Sequence, residues 1–271
     1  MKKITVFGCP EIHMEDRLAD RLAEGSDNPG RISMTPGGSF WEMVTGLAGE
    51  KDIRVTAAGA AGDDLPGRAV KREMSEAGIV TDTFFLIRGT DTCVRYSVMN
   101  IIDDVEMTFS GSGTCGIFDG TMARRAEEVS EKADLLVADA GMPADMIGHI
   151  ADRSDIPVML DAGDPEGAAG FRNICGKFRI IRADRRSAEV LSGMEILSKE
   201  QLEAAGDVFA EKGVEQLFIT LGPGGVYYRE GPLRGLISER FISSAAAAAG
   251  CARGLSALET ARSMTGGQND K

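Results

Sequence analysis

Arg54 to Ala61 reads as a strand, Gly62-Asp63-Asp64 ends it, and Pro66 to Ala77 reads as a helix closed by Gly78. A strand followed directly by a helix pairs with its neighbour through a crossover, which makes the pairing parallel. The same order recurs along the chain. Lys3 to Phe7 (KITVF) is a first buried strand ending at Gly8, and Pro36-Gly37-Gly38-Ser39 opens a helix through FWEMVTGLAGE. Ala133 to Ala138 and Ile156 to Leu160 read as buried strands around a helix over Met146 to Arg153. Phe178 to Arg182 is another strand, with a helix after it to about Gly193, then a helix over Lys199 to Lys212 and a strand over Gln216 to Thr220. Repeated alternation of this kind predicts an α/β fold with a mostly parallel sheet and helices on both faces.

Some segments depart from the alternation. A polar, acidic stretch with a turn at Asn28-Pro29-Gly30 follows the first strand. Thr92 to Met99 and Val105 to Phe109 flank Asp103-Asp104 as a strand pair, which suggests a small lid or an added edge. Met122 to Lys132 reads as helical, and Gly222, Gly224 and Gly225 turn the chain into VYYRE. The stretch FISSAAAAAGCARG, Phe241 to Gly254, opens what reads as the final helix.

Composition narrows the function. The net charge is 30 − 42 = −12, which disfavours nucleic acid or an anionic membrane as a general partner. No apolar run approaches the roughly 20 residues needed to span a bilayer. The start, MKKITVFGCPE, turns polar too early for a signal peptide, so a cytoplasmic protein is expected. The five cysteines form no CxxC pair, and only His13 and His149 could add imidazole. Buried free thiols are expected rather than a zinc site or a disulfide framework.

Four stretches together resemble the ribokinase or PfkB-type carbohydrate kinase family, over roughly Lys2 to Leu255. PGGSFWEMVTGLA (36–48) is similar to its two-glycine substrate motif, and AAGAAGDDLPGRAVKREMSEAGIV (57–80) is the most specific match. ITLGPGGVYY (219–228) resembles its nucleotide-site turn, and ISSAAAAAGCARGL (242–255) occupies the place of its Asp-Thr-x-Gly-Ala-Gly-Asp anion-hole motif. The resemblance implies one doubly wound domain over 1–271, with lid strands within 10–36 and 90–110 and a C-terminal end short for the family. It also implies ATP, Mg²⁺ and a small sugar or nucleoside acceptor, and a homodimer through the lid. Substrate contacts fall on His13, Gly37, Gly38 and Glu42. Nucleotide or anion contacts fall on Thr220, Gly222, Gly225, Ala246, Ala247, Ala248 and Gly250, and a metal contact on Asp184.

Several of these positions carry the wrong chemistry for the family. Aligning Gly254 with the glycine after the motif places Ala249 at the catalytic aspartate, Ser243 at the first aspartate, and Ala246 and Ala248 at the glycines. There is no carboxylate between Glu239 and Glu259. His13 stands where the family has a sugar-binding aspartate, and Glu42 replaces an asparagine. The Asn-x-x-Glu motif reads Asp184-Arg185-Arg186-Ser187. The reading that results is a sugar or nucleoside kinase scaffold with weak or lost phosphoryl transfer, with His13 as a substitute base. The rivals are a pseudokinase that binds a ligand or regulates, and a decayed gene product.

Each site also has a plainer reading. Gly37-Gly38 and Gly222–Gly225 serve equally as tight turns, and Gly62-Asp63-Asp64 as a loop closure and helix cap. His13 and Glu42 could be surface residues, and Arg185 and Arg186 a solvated helix start. Gly111-Ser112-Gly113-Thr114-Cys115-Gly116 fits G-x-G-x-x-G but lacks the βαβ setting that dinucleotide binding needs.

Overall fold

A computed structural model describes residues 1–102, 104–111, 120, 122, 124, 128, 131–238 and 243–265. Its main sheet has nine strands: β1 (Lys2–Gly8), β4 (Ile53–Gly62), β5 (Val80–Ile87), β8 (Leu135–Asp139), β9 (Val158–Ala162), β10 (Ile180–Asp184), β11 (Gln216–Thr220), β12 (Val226–Glu230) and β13 (Leu233–Ile237). Their order is β13-β12-β11-β10-β9-β8-β1-β4-β5. From β5 to β11 every pairing is parallel, and β12 and β13 add antiparallel strands at one edge.

A second sheet is built from β2 (Glu11–Leu18), β3 (Gly30–Gly37), β6 (Cys93–Met99) and β7 (Val105–Ser110), in the order β3-β2-β6-β7. The acidic stretch after β1 therefore forms a lid strand. β5 and β13, which carried no strand signal in the sequence reading, complete the edges of the main sheet.

Helices α1 (Gly38–Ala48), α2 (Leu65–Glu76), α7 (Ser244–Arg253) and α8 (Ala257–Met264) supply apolar residues to one core. Those of α3 (Ala144–Arg153), α4 (Pro165–Ala169), α5 (Arg185–Ser192) and α6 (Lys199–Glu211) join a second core, with Phe171, Phe178 and Phe209 fully buried. Sequence signals account for the helix ends. Asp64 caps α2, Ser198 caps α6, Ser256 and Glu259 form a capping box on α8, and Gly193 and Gly254 close α5 and α7 in the left-handed region.

The alanine run has a packing explanation. α7 lies against β1, β8, α1 and α8, and Ala247, Ala248 and Ala249 are fully buried. A Cβ on Gly46 of α1 would come within 2.6 Å of the Ala245 methyl, and one on Gly250 within 2.8 Å of Thr260 Oγ1. Small side chains let these four elements close around the helix. It is not the last helix, as expected from the sequence, because α8 follows it. The expected helix over Met122 to Lys132 and the Gly111–Gly116 pattern fall mostly outside the described residues.

Candidate functional site

β1 leads to β4 and β5 on one side, whereas β8 to β11 extend from it on the other. The strand order reverses between β1 and β8, and ligands of open α/β sheets bind beyond the carboxyl ends of strands at such a point. Gly8 and Asp139 are the last residues of those two strands.

Three charged side chains line up across this edge. Parallel register sets Asp139 beside Asp161 and Asp161 beside Arg182, so all three project from one face, the face that α1 and α7 cover. Asp161 is buried and paired with Arg182 at 3.0 Å. Burial pushes its carboxyl upward against the opposing pull of that guanidinium. Arg182 Nε is buried without a hydrogen-bond partner among the described residues. Asp139 is half-buried, accepts a hydrogen bond from Gly141 N at 2.7 Å, and forms no ion pair among the described residues. Burial raises it to about 7, and the negative charges of Asp161 and Glu11 add to the effect.

The first turn of α1 faces the same edge. Gly38 has φ +86°, and Gly37 is buried beneath the His13 ring, 2.6 Å from where a Gly37 Cβ would stand. His13 Nε2 lies 3.4 Å from Glu11 Oε2, and Arg95 Nε donates to the same oxygen at 3.3 Å. A Cβ on Gly163 would fill the space between Arg182 Nη1 (2.9 Å) and Ser39 Oγ (3.2 Å). His13, Glu11, Gly37 and Gly38 therefore come together where the lid meets the start of α1. Glu42 lies in the second turn of α1 and is exposed.

On the other side, Thr220 ends β11, with its hydroxyl 3.4 Å from Ala183 O. Gly222 (φ +58°) and Gly225 (φ +95°) turn the chain into β12; a Cβ on Gly225 would overlap Ile237 O, so this turn requires glycine. Asp184 caps α5, accepting from Ser187 N at 2.6 Å. One carboxylate oxygen is thus engaged, and the Ser187 hydroxyl is buried without a hydrogen-bond partner among the described residues. This donor set suits Mg²⁺ only as a hydrated ion that shares its remaining ligands with a nucleotide.

α7 differs from the arrangement the sequence suggested. Ser243 caps it by accepting from Ala246 N at 3.2 Å, and Ser243 N donates to Met264 O. Ala247 to Gly250 lie beyond the first three helical positions, so their N–H groups point back into the helix. The N–H groups left at the helix start are those of Ser244 and Ala245, not of Ala248 or Gly250. Ala249 is the sixth residue of the helix and fully buried, so its side chain borders no cleft.

Glu11, Ser39, Asp139, Asp161 and Arg182 were not picked out from the sequence. A signal was available: LLVAD and VMLDA each place an aspartate at or next to the end of a buried parallel strand, beside the switch point.

The sequence model of the pfkB family carbohydrate kinase matches residues 1–247. Pseudouridine kinase of Escherichia coli (strain K12) is 22% identical over 230 residues, covering 84% of this chain and 72% of that protein. Ribokinase of Haemophilus influenzae is 23% identical over 170 residues, 61% of this chain and 54% of its own length. Arabidopsis thaliana ribokinase, solved in complex with ribose and ATP, superposes with a TM-score of 0.83 at 17% identity, over 97% of this chain and 90% of that one. No described helix is long and apolar enough to cross a membrane. With the sheet order, the lid and the two-glycine turn in place, the chain belongs to the pfkB family of carbohydrate kinases.

Proposed function

We propose that this chain binds a small sugar or nucleoside in the pocket between lid and α1, takes ATP across the β11–α7 side, and transfers phosphate slowly or not at all. One observation carries this reading. The α1 side has a two-glycine turn with an imidazole and carboxylates beside it, whereas α7 opens on the cap Ser243 with Ser244-Ala245 and has no carboxylate on it. Phosphoryl transfer rests mainly on positioning and charge stabilisation, and the proton acceptor adds roughly 10²- to 10⁴-fold. Asp139 is half-buried, free of ion pairs among the described residues and raised to about 7, and it receives the hydroxyl proton in whatever transfer remains; His13 is the alternative.

The lid supports a second part of the reading. Register puts Met14, Met34, Tyr96, Phe109, Val98 and Met107 on the face opposite His13 and Arg95. Met34 and Phe109 are more than half exposed. We read this face as the contact with a second copy of the chain. The test of the binding reading is calorimetric titration with a panel of sugars and nucleosides, with and without Mg-ATP. Saturable heat from at least one member, lost in Gly37→Val, supports it. Absence of heat from all members overturns it.

A further inference from the structure

Gly62-Asp63-Asp64 is tied to the lid as well as to its own helix. Asp64 Oδ1 accepts from Gly67 N at 2.8 Å and from the Thr92 hydroxyl at 2.6 Å, while Oδ2 accepts from Thr92 N at 2.8 Å. Gly62 N donates to Thr92 Oγ1 at 3.1 Å. Thr92 is 3% exposed although it lies in the connection between β5 and β6. Nothing larger than glycine fits at two points of this joint. A Cβ on Gly62 would sit 2.5 Å from Thr90 O, and one on Gly67 2.7 Å from Thr92 Oγ1.

Thr92 immediately precedes the strand that supports the pocket. Cys93 registers with Glu11, and Arg95 with His13. From there contacts run through Arg95 and Glu11 to His13, which covers Gly37. We propose that Asp64 and Thr92 form a latch between core and lid that sets the height of β6 against β2, and thereby the pose of His13 over the two-glycine turn. They are positioning residues: neither reaches the pocket, and both act through Arg95 and Glu11. The role assigned to His13 rests on the acceptor-pocket reading, but the latch is testable without any ligand.

The sequence contains only two histidines, His13 on β2 and the exposed His149 on α3, so each ring gives a separate proton resonance and His149 serves as an internal reference. Thr92→Val removes both hydroxyl bonds and keeps the shape, Thr92→Ser keeps the bonds, and Asp64→Asn sets an amide against Thr92 N–H. The full-length Thr92→Val chain is expected to shift the His13 ring resonances beyond their linewidth and leave His149 in place. Amide exchange in β2 and β6 should rise about tenfold against β8 to β11, with Thr92→Ser matching the natural chain. Asp64→Asn is expected to repeat the His13 shift, which covers the case of a Thr92→Val chain that does not fold. An unmoved His13 with unchanged lid exchange overturns the latch. So does loosening of β8 to β11 as large as that of the lid, which would mark an ordinary stability defect. Loss of ligand binding in the calorimetric panel would sink the acceptor reading and leave these outcomes untouched.

Discussion

Two helices pack against each other on one face of the sheet, and their first turns are built in opposite ways. α1 starts on Gly37-Gly38, with an imidazole over the turn and carboxylates nearby, and its polar groups remain partly open. α7 starts on serines and alanines and sinks at once into a core shared with α1, α8, β1 and β8. The first is the proposed acceptor side, and the second is packed. On the proposed reading, the contrast puts the change on the phosphate side.

The sharpest way to break the contrast is to restore the missing base where sequence alignment puts it. Ala249→Asp would bury a carboxylate with no partner and no access to the cleft. It is expected to lower stability by at least about 3 kcal/mol and to gain no activity, as read by urea unfolding and phosphate transfer. A well-folded, active Ala249→Asp chain would show that α7 is set differently.

That expectation marks where the sequence stopped being legible. Alternating strands and helices, the lid pair around Asp104 and the cap at Asp64 follow from local pattern, and they were readable. The alanine run was not, because five alanines show neither which face packs nor where the helix starts. Counting back from Gly254 set the frame, yet Ser243 is the cap and leaves Ala249 more than a turn inside. Asp139 and Asp161 escaped notice because their strands read as apolar runs, and the register that aligns them with Arg182 exists only in the sheet. Lid strands were expected within 10–36, but the bounds of β2 were not, because its alternating charged and apolar residues lack a buried strand's continuity; the strand's alternation sets Glu11 and His13 on one face.

Gly37→Ala probes the open side. Its backbone is extended, so the strain is one of space: the new methyl meets the His13 ring. A loss of about 1–3 kcal/mol is expected in thermal or urea unfolding, together with loss of acceptor binding.

Asp139 gives a pH signature. Its folded pKa of about 7 lies above the unfolded carboxylate value, so the folded chain holds this proton more tightly. Stability from this group is full below about pH 4 and falls as pH rises toward 7. Asp139→Asn removes that fall. It is expected to match the natural chain near pH 4 and exceed it by about 1–2 kcal/mol at pH 8, a figure discounted for partial exposure. Equal pH profiles for the two chains would remove Asp139 from the role of proton acceptor.

The lid's outer face should give the smallest change in stability. Met34→Lys with Phe109→Lys is expected to convert a dimer to a monomer in sedimentation, with unfolding shifted by less than about 0.5 kcal/mol per site. A natural chain that sediments as a monomer would leave that face without its proposed partner.

The most direct test is transfer of labelled γ-phosphate from Mg-ATP to the sugar and nucleoside that bind best. Kinases commonly turn over at about 1–100 s⁻¹, and absence of the α7 carboxylate predicts a rate roughly 10²- to 10⁴-fold lower, falling further in Asp139→Asn. Turnover within the ordinary kinase range, unaffected by Asp139→Asn, would contradict the account.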